Sequence, residues 1–203
     1  SLVREGAAVG GVTPAVTDAG RRCASAGWLA LSAGRTVVAG QPGPGGWACV
    51  PWTVAPGGSG GGSVVGWAGL LAAQTTSEFR PRPGALGFAL AEAGVCAVAV
   101  GPGAGLALAT PDGAVDRYLD LDAALADPAA AFACPVTLVD VRPPGTVVPR
   151  GDVESLLLQD RTLHQLLAAV PADATVLVVD TGAATTERPA LGVGLVTGDT
   201  AAA

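Results

Sequence analysis

Three uninterrupted apolar runs constrain the fold of this chain more than any other feature. They are VCAVAV at 95–100, PVTLVDV at 135–141 and ATVLVVD at 174–180. Polar residues do not alternate with apolar ones in these runs, which is typical of strands buried on both faces of a parallel sheet. The runs at 106–109 and 191–198 also have the length of strands. We therefore expect a core built around a mostly parallel sheet.

Helical patterns separate these runs. The segment 82–94 has a proline near its first turn and ends at a glycine, and the segment 120–133 is broken near Pro128. The segment 152–170 carries an apolar stripe at helical spacing, formed by Leu156, Leu163, Leu166, Leu167 and Val170. Strands that alternate with helices predict an α/β fold with three layers, in which helices cover both faces of the sheet. We expect residues 1–203 to form one such domain.

Glycine-rich segments predict the connections. APGGSGGGS at 55–63 is typical of a flexible surface loop, and ATPDGAVDRY at 109–118 predicts a hairpin around its Pro-Asp-Gly turn. GPGAG at 101–105 follows a strand, but its third glycine is misplaced for a dinucleotide-binding turn and strand-like residues follow it. We interpret GPGAG as a sharp turn between strands.

Composition and charge exclude several classes of function. Half of the residues are apolar and 14% are charged, which excludes a disordered chain. The formal net charge is -6 and the basic residues are dispersed, so no basic surface is expected to bind nucleic acid. No stretch of 18 uninterrupted apolar residues is present, so we expect no membrane span within residues 1–203.

The four cysteines favour disulfides over a metal site. They show no CxxC spacing, and one histidine does not supply the three or four nitrogen and sulfur ligands of a zinc site, so we expect no cofactor. Cys23 and Cys49 flank short connections rich in glycine and proline, and we favour a disulfide between them, which implies an oxidising compartment. Cys96 and Cys134 form either a second disulfide or free thiols packed as small apolar groups.

Two candidates for catalysis stand near the end of the chain. Asp180 opens an Asp-Thr-Gly sequence, which is the signature of aspartic proteases. That chemistry needs two carboxylates in an all-β fold, so the α/β pattern favours a structural interpretation. His164, four residues after Asp160 on a predicted helix, has no serine signature to accompany it. We expect a partly buried structural histidine.

Three consecutive tracts carry a resemblance to a known family. VTLVDVRPPGTV, LLLQDRTLHQLLAAVP and ATVLVVDTG resemble, in order and spacing, the type I phosphodiesterase/nucleotide pyrophosphatase branch of the alkaline phosphatase superfamily. The resemblance places Asp180 at a metal-binding aspartate, with Thr181 at the neighbouring histidine. It places Pro143 and Thr146 at a carboxylate and an imidazole position, and Ser25 beside the nucleophile position. It therefore implies a degenerate metal site on an alkaline-phosphatase-like fold.

A wider set of phrases resembles one group of membrane proteins. CASAGWLALSAGR at 23–35, RPGALGFALAEAGVCAVAVGPGAGLALATPDG and PADATVLVVDTG are similar to the extracytoplasmic domain of uncharacterised actinobacterial integral membrane proteins. The resemblance implies an extracytoplasmic location and a membrane anchor supplied by segments outside residues 1–203. It also supports the disulfide between Cys23 and Cys49, because that group keeps cysteines in both regions.

The resulting expectation is a pseudoenzyme domain with a structural or ligand-binding role in the cell envelope. Its partner would be a ligand or an envelope protein whose identity the sequence does not give. The alternative is a metal-dependent hydrolase of phosphate or sulfate esters, with a divalent ion such as zinc. Its cleft, at the carboxyl ends of the strands, would be lined by Ser25, Asp140, Asp180 and Thr181. A third alternative is a dimeric aspartic protease that acts through residues 180–182.

Overall fold

The computed structural model describes residues 8–12, 23, 25–43, 46–142, 153–179 and 192–197, without the side chains of 8–12, Trp47 and 192–197. The fold is α/β, as predicted. The described strands are β1 (Ala8–Val12), β2 (Gly40–Gly43), β3 (Gly46–Cys49), β4 (Thr53–Pro56), β5 (Gly62–Val65), β6 (Ala97–Val100), β7 (Ala114–Val115), β8 (Tyr118–Leu119), β9 (Val136–Val139), β10 (Val176–Val179) and β11 (Gly192–Thr197). The described helices are α1 (Ser25–Ala33), α2 (Trp67–Gln74), α3 (Ala85–Glu92), α4 (Pro102–Leu108), α5 (Leu121–Ala126), α6 (Pro128–Ala131) and α7 (Val153–Leu167).

A small parallel sheet lies at the centre of the described chain. Its strand order is β8-β6-β9, and both outer strands run parallel to β6. Val100 of β6 is in register with Leu119 on one side and with Val139 on the other. The apolar runs at 95–100 and 135–141 are therefore neighbouring strands, each slightly shorter than the sequence predicts.

The other described sheets are antiparallel. They have the orders β1-β11-β10, β2-β3 and β4-β5-β7. The run at 174–180 does contain a strand, but β10 pairs antiparallel with β11 and is not paired with β9. The prediction of a mostly parallel sheet is therefore wrong for the described residues. The run at 174–180 is also not buried on both faces, because Leu177 is 62% exposed. An apolar run indicates a strand, and it does not determine the direction of the neighbouring strand.

Both faces of β6 are buried, which explains why its sequence does not alternate. Ala99 belongs to a large apolar cluster that includes Trp28 of α1 and Leu106 of α4. Val98 and Val100 point to the opposite face, where they pack in a second cluster with residues of α5 and α6. Burial of each such valine contributes about 1.5–3 kcal/mol, so both faces of this strand must be apolar.

One predicted strand and one predicted turn are a helix instead. The apolar residues 106–109 largely fall within α4, and GPGAG forms the entry to this helix and its first turns. Gly101 has a φ of 79°, which a glycine adopts without strain, and Pro102 stands at the start of the helix. A short apolar run that is buried all round has no periodicity to distinguish helix from strand, so the sequence prediction was wrong here.

The longer predicted helices are confirmed with small changes. The segment 82–94 contains α3, and the segment 120–133 is divided into α5 and α6 immediately before Pro128. The predicted helix at 152–170 contains α7, whose Leu166 is buried. Leu156, however, is 55% exposed, so the first turns of α7 do not follow the predicted apolar stripe.

The two predicted connections contain more pairing than expected. Within the predicted loop 55–63, β4 and β5 form a hairpin with Pro56 opposite Gly62, and only the residues between them turn. Within 109–118, β7 pairs with β5 whereas β8 pairs with β6. The predicted turn is present, since the N–H of Gly113 donates to the carbonyl of Thr110 at 2.8 Å and the N–H of Thr110 donates to the carbonyl of Ala114 at 2.8 Å. The predicted hairpin is wrong because residues 102–108 before this turn form a helix and not a strand.

Two disulfides join distant parts of the described chain. Cys23, before α1, is bonded to Cys49 at the end of β3, with their Cα atoms 5.6 Å apart. This pairing confirms the prediction. Cys96 and Cys134, which precede the central strands β6 and β9, form a second disulfide with a Cα separation of 5.2 Å. This bond decides the question that the sequence left open between a bridge and two free thiols.

Candidate functional site

The carboxyl edge of the parallel sheet brings three chain segments together. The N–H of Gly101, after β6, donates to the carbonyl of Leu119 at a distance of 2.9 Å. The N–H of Asp140, after β9, donates to the carbonyl of Val100 at 2.8 Å. These bonds continue the ladder beyond the strands, so that the residues leaving the three strands lie side by side. Sheets of this kind bind ligands at the carboxyl ends of their strands.

Asp140 is the centre of this edge, and its carboxylate is fully bonded. The residue is buried, and its Oδ2 accepts a hydrogen bond of 3.1 Å from the N–H of Gly103. Oδ1 accepts from Nε of Arg142 at 3.0 Å and from the backbone N–H of the same residue at 3.2 Å. Nη2 of Arg142 lies 3.3 Å from Oδ2. The guanidinium therefore contacts both oxygens, which is the strong geometry for an arginine–carboxylate pair.

The bond from Gly103 depends on the absence of a side chain. A Cβ on Gly103 would overlap the indole nitrogen of Trp28 and Oδ2 of Asp140. A Cβ on Gly101 would lie 2.7 Å from the backbone oxygen of Asp140. Glycine at both positions therefore lets the start of α4 approach β9 and α1 closely. This requirement gives a structural reason for the GPGAG sequence.

Helix α1 supplies an aromatic group at this edge and carries a buried hydroxyl on the same face. The Trp28 ring lies under Arg142, with the guanidinium carbon 6.0 Å from the ring centroid, a distance at which a cation–π contact is favourable. The indole nitrogen of Trp28 and the hydroxyl of Ser25 are buried and have no hydrogen-bond partner among the described residues. The two residues are three positions apart and hence lie on one face of α1.

Tyr118 adds a titratable group beneath the same edge. Its side chain is buried, and burial is the main reason why the pKa of the phenol is raised above its ordinary value of 10.0. The negative charges of Asp120 and Asp140 raise this pKa further. Tyr118 is therefore a neutral phenol near neutral pH, and it adds no negative charge beside Asp140.

The structure describes two of the four candidate residues from the sequence. Asp140 lies at the carboxyl edge, as predicted, and Ser25 is buried at the start of α1. No hydrogen bond between these two side chains is found among the described contacts. Asp180 and Thr181 lie outside the described residues, as do Pro143 and Thr146.

Sequence reasoning missed three members of the arrangement around Asp140. They are Arg142, Trp28 and Gly103. Arg142 had a local signal, since an arginine two residues after an aspartate at a strand end can fold back onto its carboxylate. Trp28 and Gly103 had none, because their contacts join residues that are far apart in the sequence.

The described residues do not fit a divalent metal at this edge. No group of three or more histidine, cysteine, aspartate or glutamate side chains among them is arranged to hold a cation. Both oxygens of Asp140 already contact Arg142, whose positive charge would repel a metal ion. Among the described residues, the carboxylate of Asp140 is therefore engaged by Arg142 and Gly103.

His164 is solvent-exposed, in contrast to the prediction of a partly buried side chain. Its side chain is 61% exposed, and Nδ1 lies 3.0 Å from the backbone oxygen of Asp160 and 3.6 Å from its carboxylate. The pairing with Asp160 four residues earlier is as expected for a helix. The exposure follows from its position on α7, because the buried residues Thr162 and Leu166 define a different face of this helix.

Comparison with known proteins gives no match to a protein-family model, to a curated protein or to a solved structure. Among the described helices, none is both long enough and apolar enough to cross a bilayer. The interpretation of the site therefore depends on the contacts of the chain itself, with Asp140 at their centre.

Proposed function

We propose that this chain is a non-catalytic extracytoplasmic domain with a structural or ligand-binding role in the cell envelope. In this proposal it has the three-layer arrangement of an alkaline-phosphatase-like fold, and it belongs to a protein that is anchored in the membrane by other segments. In this proposal the carboxyl ends of the parallel strands lie where an active site would be in such a fold, but the side chains there bond to other parts of the protein.

The bonding of Asp140 is the observation that carries this proposal. A general base or a metal ligand needs a carboxylate oxygen that is open to a substrate proton or a cation. In this chain the two oxygens accept bonds from Arg142 and Gly103. The carboxylate therefore ties β9 to α4, and its charge is compensated within the protein.

The disulfides support the proposed location. Two bridges join the four cysteines, and disulfides form and persist in oxidising compartments. Reducing compartments would leave these thiols unpaired. The bridges thus favour a position outside the cytoplasm, where the proposed envelope protein would present this domain.

An ester hydrolysis assay tests the non-catalytic role. Chromogenic phosphate monoesters, phosphate diesters and sulfate esters would be incubated with the purified chain, with added Zn²⁺ or Mn²⁺. We expect rates equal to those of buffer with the same metal. The variant Asp180→Ala tests the residue that the family resemblance assigns to a metal, and Asp116→Ala serves as a matched change of an exposed aspartate.

Hydrolase activity would give a distinct result. Saturable turnover by the parent chain and by Asp116→Ala, together with its loss in Asp180→Ala, would contradict the proposal and favour a metal-dependent esterase. Peptide cleavage at acid pH that is lost in Asp180→Ala would contradict it in favour of a dimeric aspartic protease. Circular dichroism of both variants separates a lost activity from a lost fold.

A further inference from the structure

A cavity of about 630 Å³ lies between β9 and β10. Residues 137–139 of β9 and 176–179 of β10 line it, together with residues of α1 and α7. Successive side chains of a strand point to opposite faces of its sheet, so a cavity on one face would contact alternate residues only. Because consecutive residues of both strands contact this cavity, it lies along their edges.

The backbone of β9 faces this cavity with groups that no described strand pairs. The N–H of Asp140 donates to Val100, and Val139 is in register with Val100. In a parallel ladder this pattern directs the backbone of Leu138 and Asp140 toward β6, and that of Thr137 and Val139 toward the opposite edge. Among the described strands, β9 has no partner on that edge.

Strand β10 presents to the same cavity a second edge that no described strand pairs. Among the described strands it pairs with β11 alone and ends its sheet. Alternate residues of β10 must therefore direct their N–H and carbonyl groups away from β11. The cavity thus has backbone donors and acceptors along both of its long sides. We call this cavity between the two strand edges the strand slot.

Apolar side chains cover the strand slot above and below. Leu138 packs against the apolar cluster that contains Trp28 of α1, whereas Val139 packs against the cluster on the α5 side of the sheet. Helix α7 contacts α5 and lines the slot from that second side. A strand placed in the slot would therefore lie between two apolar layers, as β6 does.

Several apolar side chains of the slot are left open to solvent. Leu177 of β10 is 62% exposed, Val179 is 41% exposed and Leu31 of α1 is 42% exposed. A strand in the slot would cover apolar surface that now meets water, which favours binding by about 25 cal/mol for each Å² covered. Backbone pairing would define the conformation of the occupant, and these side chains would favour an apolar sequence.

We infer that the strand slot binds a single extended, apolar peptide strand of a partner protein. The unpaired edges require an extended backbone, in the manner of other strand-addition complexes. Because α1 and α7 line the slot as well as the two strands, the occupant that we assign to it is a single strand and not a folded second copy. The inference gives a chemical class to the ligand-binding role proposed above, and it rests on that role.

Hydrogen exchange of the intact chain with synthetic peptides tests the slot. The probes are acetylated and amidated octapeptides with arginines at both ends and with Val, Ile, Leu or Thr in all combinations at four central positions. In the free chain we expect rapid exchange of the Thr137 and Val139 amides. With a bound peptide we expect these amides, and alternate amides of β10, to exchange at least about tenfold more slowly.

Methylation of the peptide backbone distinguishes the slot from a single edge. A strand between two neighbours directs alternate N–H groups to opposite sides, so N-methylation of the odd or of the even residues should weaken binding in both cases. Leu31→Arg places a charge in the slot and should also weaken binding. Val65→Arg changes an apolar residue of similar exposure outside the slot and should leave binding unchanged.

Four results would overturn the inference. They are slow exchange of Thr137 and Val139 in the free chain, no protection by any peptide, sensitivity to only one methylation pattern, and equal binding by Leu31→Arg. The first would show that the chain fills its own slot. None of them bears on ester hydrolysis, so failure of the strand slot is distinguishable from failure of the non-catalytic role.

Discussion

Asp140 lies at the carboxyl edge of the parallel sheet, where its carboxylate serves the fold. A buried carboxylate is unfavourable unless charges and donors compensate it, and Arg142 with Gly103 supplies both. The same bonds join the end of β9 to the start of α4. The main effect of removing this carboxylate should therefore be a loss of folding stability.

We predict that Asp140→Ala lowers the free energy of unfolding by about 2–4 kcal/mol, because it leaves the Gly103 N–H and the partly buried Arg142 without their partner. Asp140→Asn keeps an acceptor and should cost about 1–2 kcal/mol. Urea unfolding measures both losses, with the exposed Asp116→Ala as a control. Equal stability of the parent chain and Asp140→Ala would show that these bonds do not hold the edge together.

Tyr118 gives the same region a dependence on pH. Burial, and then Asp120 and Asp140, raise the pKa of its phenol in the folded chain above 10.0. The folded state therefore holds this proton more tightly than the unfolded state. The free energy of unfolding should be unaffected by this group below pH 10.0 and should fall as the pH rises from there through the folded pKa.

The ultraviolet absorbance of phenolate measures this titration directly, because Tyr118 is the sole tyrosine. Its midpoint should lie at higher pH in the folded chain than in urea. Tyr118→Phe should remove the signal and this part of the pH dependence. A midpoint that is the same in both states would show that the phenol is not held in an apolar environment beside the two carboxylates.

At the scale of elements, the contact of α4 with α1 and β9 depends on small residues. The short helix α4 is buried from Gly103 to Leu108, and its first turn meets the indole of Trp28. Such a helix cannot be separated from its neighbours without a loss of van der Waals contact, because protein interiors are close-packed. The glycines of this turn are therefore part of the packing.

We predict that Gly103→Ala destabilises the chain by about 1–3 kcal/mol or more, because the added methyl group would overlap Trp28 and Asp140. Gly58→Ala is the matched control, since a Cβ at Gly58 meets no atom within 4 Å. Urea unfolding with tryptophan fluorescence gives both values. A Gly103→Ala variant as stable as Gly58→Ala would contradict the close approach of α4.

At the scale of the whole molecule, the disulfides add stability to a fold whose described sheets are small and whose described strands are short. The described sheets have two or three strands each, and many of these strands have only four residues. The two bridges span 26 and 38 residues: Cys23–Cys49 joins the residue before α1 to the end of β3, and Cys96–Cys134 joins the residues just before the paired strands β6 and β9. A covalent link of this kind reduces the conformational entropy of the unfolded chain.

We predict that Cys23→Ala/Cys49→Ala lowers the free energy of unfolding by about 2–4 kcal/mol. The corresponding fall in Tm is roughly 5–15 °C for a chain of this size. Calorimetry measures the shift, and a reducing agent should lower the Tm of this variant further by opening Cys96–Cys134. A melting curve of the parent chain that does not respond to reductant would contradict both bridges as stabilising links.

The sequence by itself determined those features that depend on local patterns. The positions of β6, β9 and β10, the interruption of the helix before Pro128 and the extent of α7 follow from runs, periodicity and breakers. These signals work because burial and backbone preference act on neighbouring residues. The connection between Cys23 and Cys49 also followed from the sequence, with the family resemblance in support.

Only the tertiary structure decided what each element contacts. It decided that β10 runs antiparallel to β11, that residues 102–108 are a helix, and that Arg142 and Gly103 hold Asp140. It also placed along one cavity two strand edges that have no partner among the described strands. Hydrophobic burial is not directional, so an apolar sequence must pack against apolar residues, but it does not specify which segment of the chain supplies them. The partner is chosen by packing and backbone hydrogen bonds between segments that are distant along the chain.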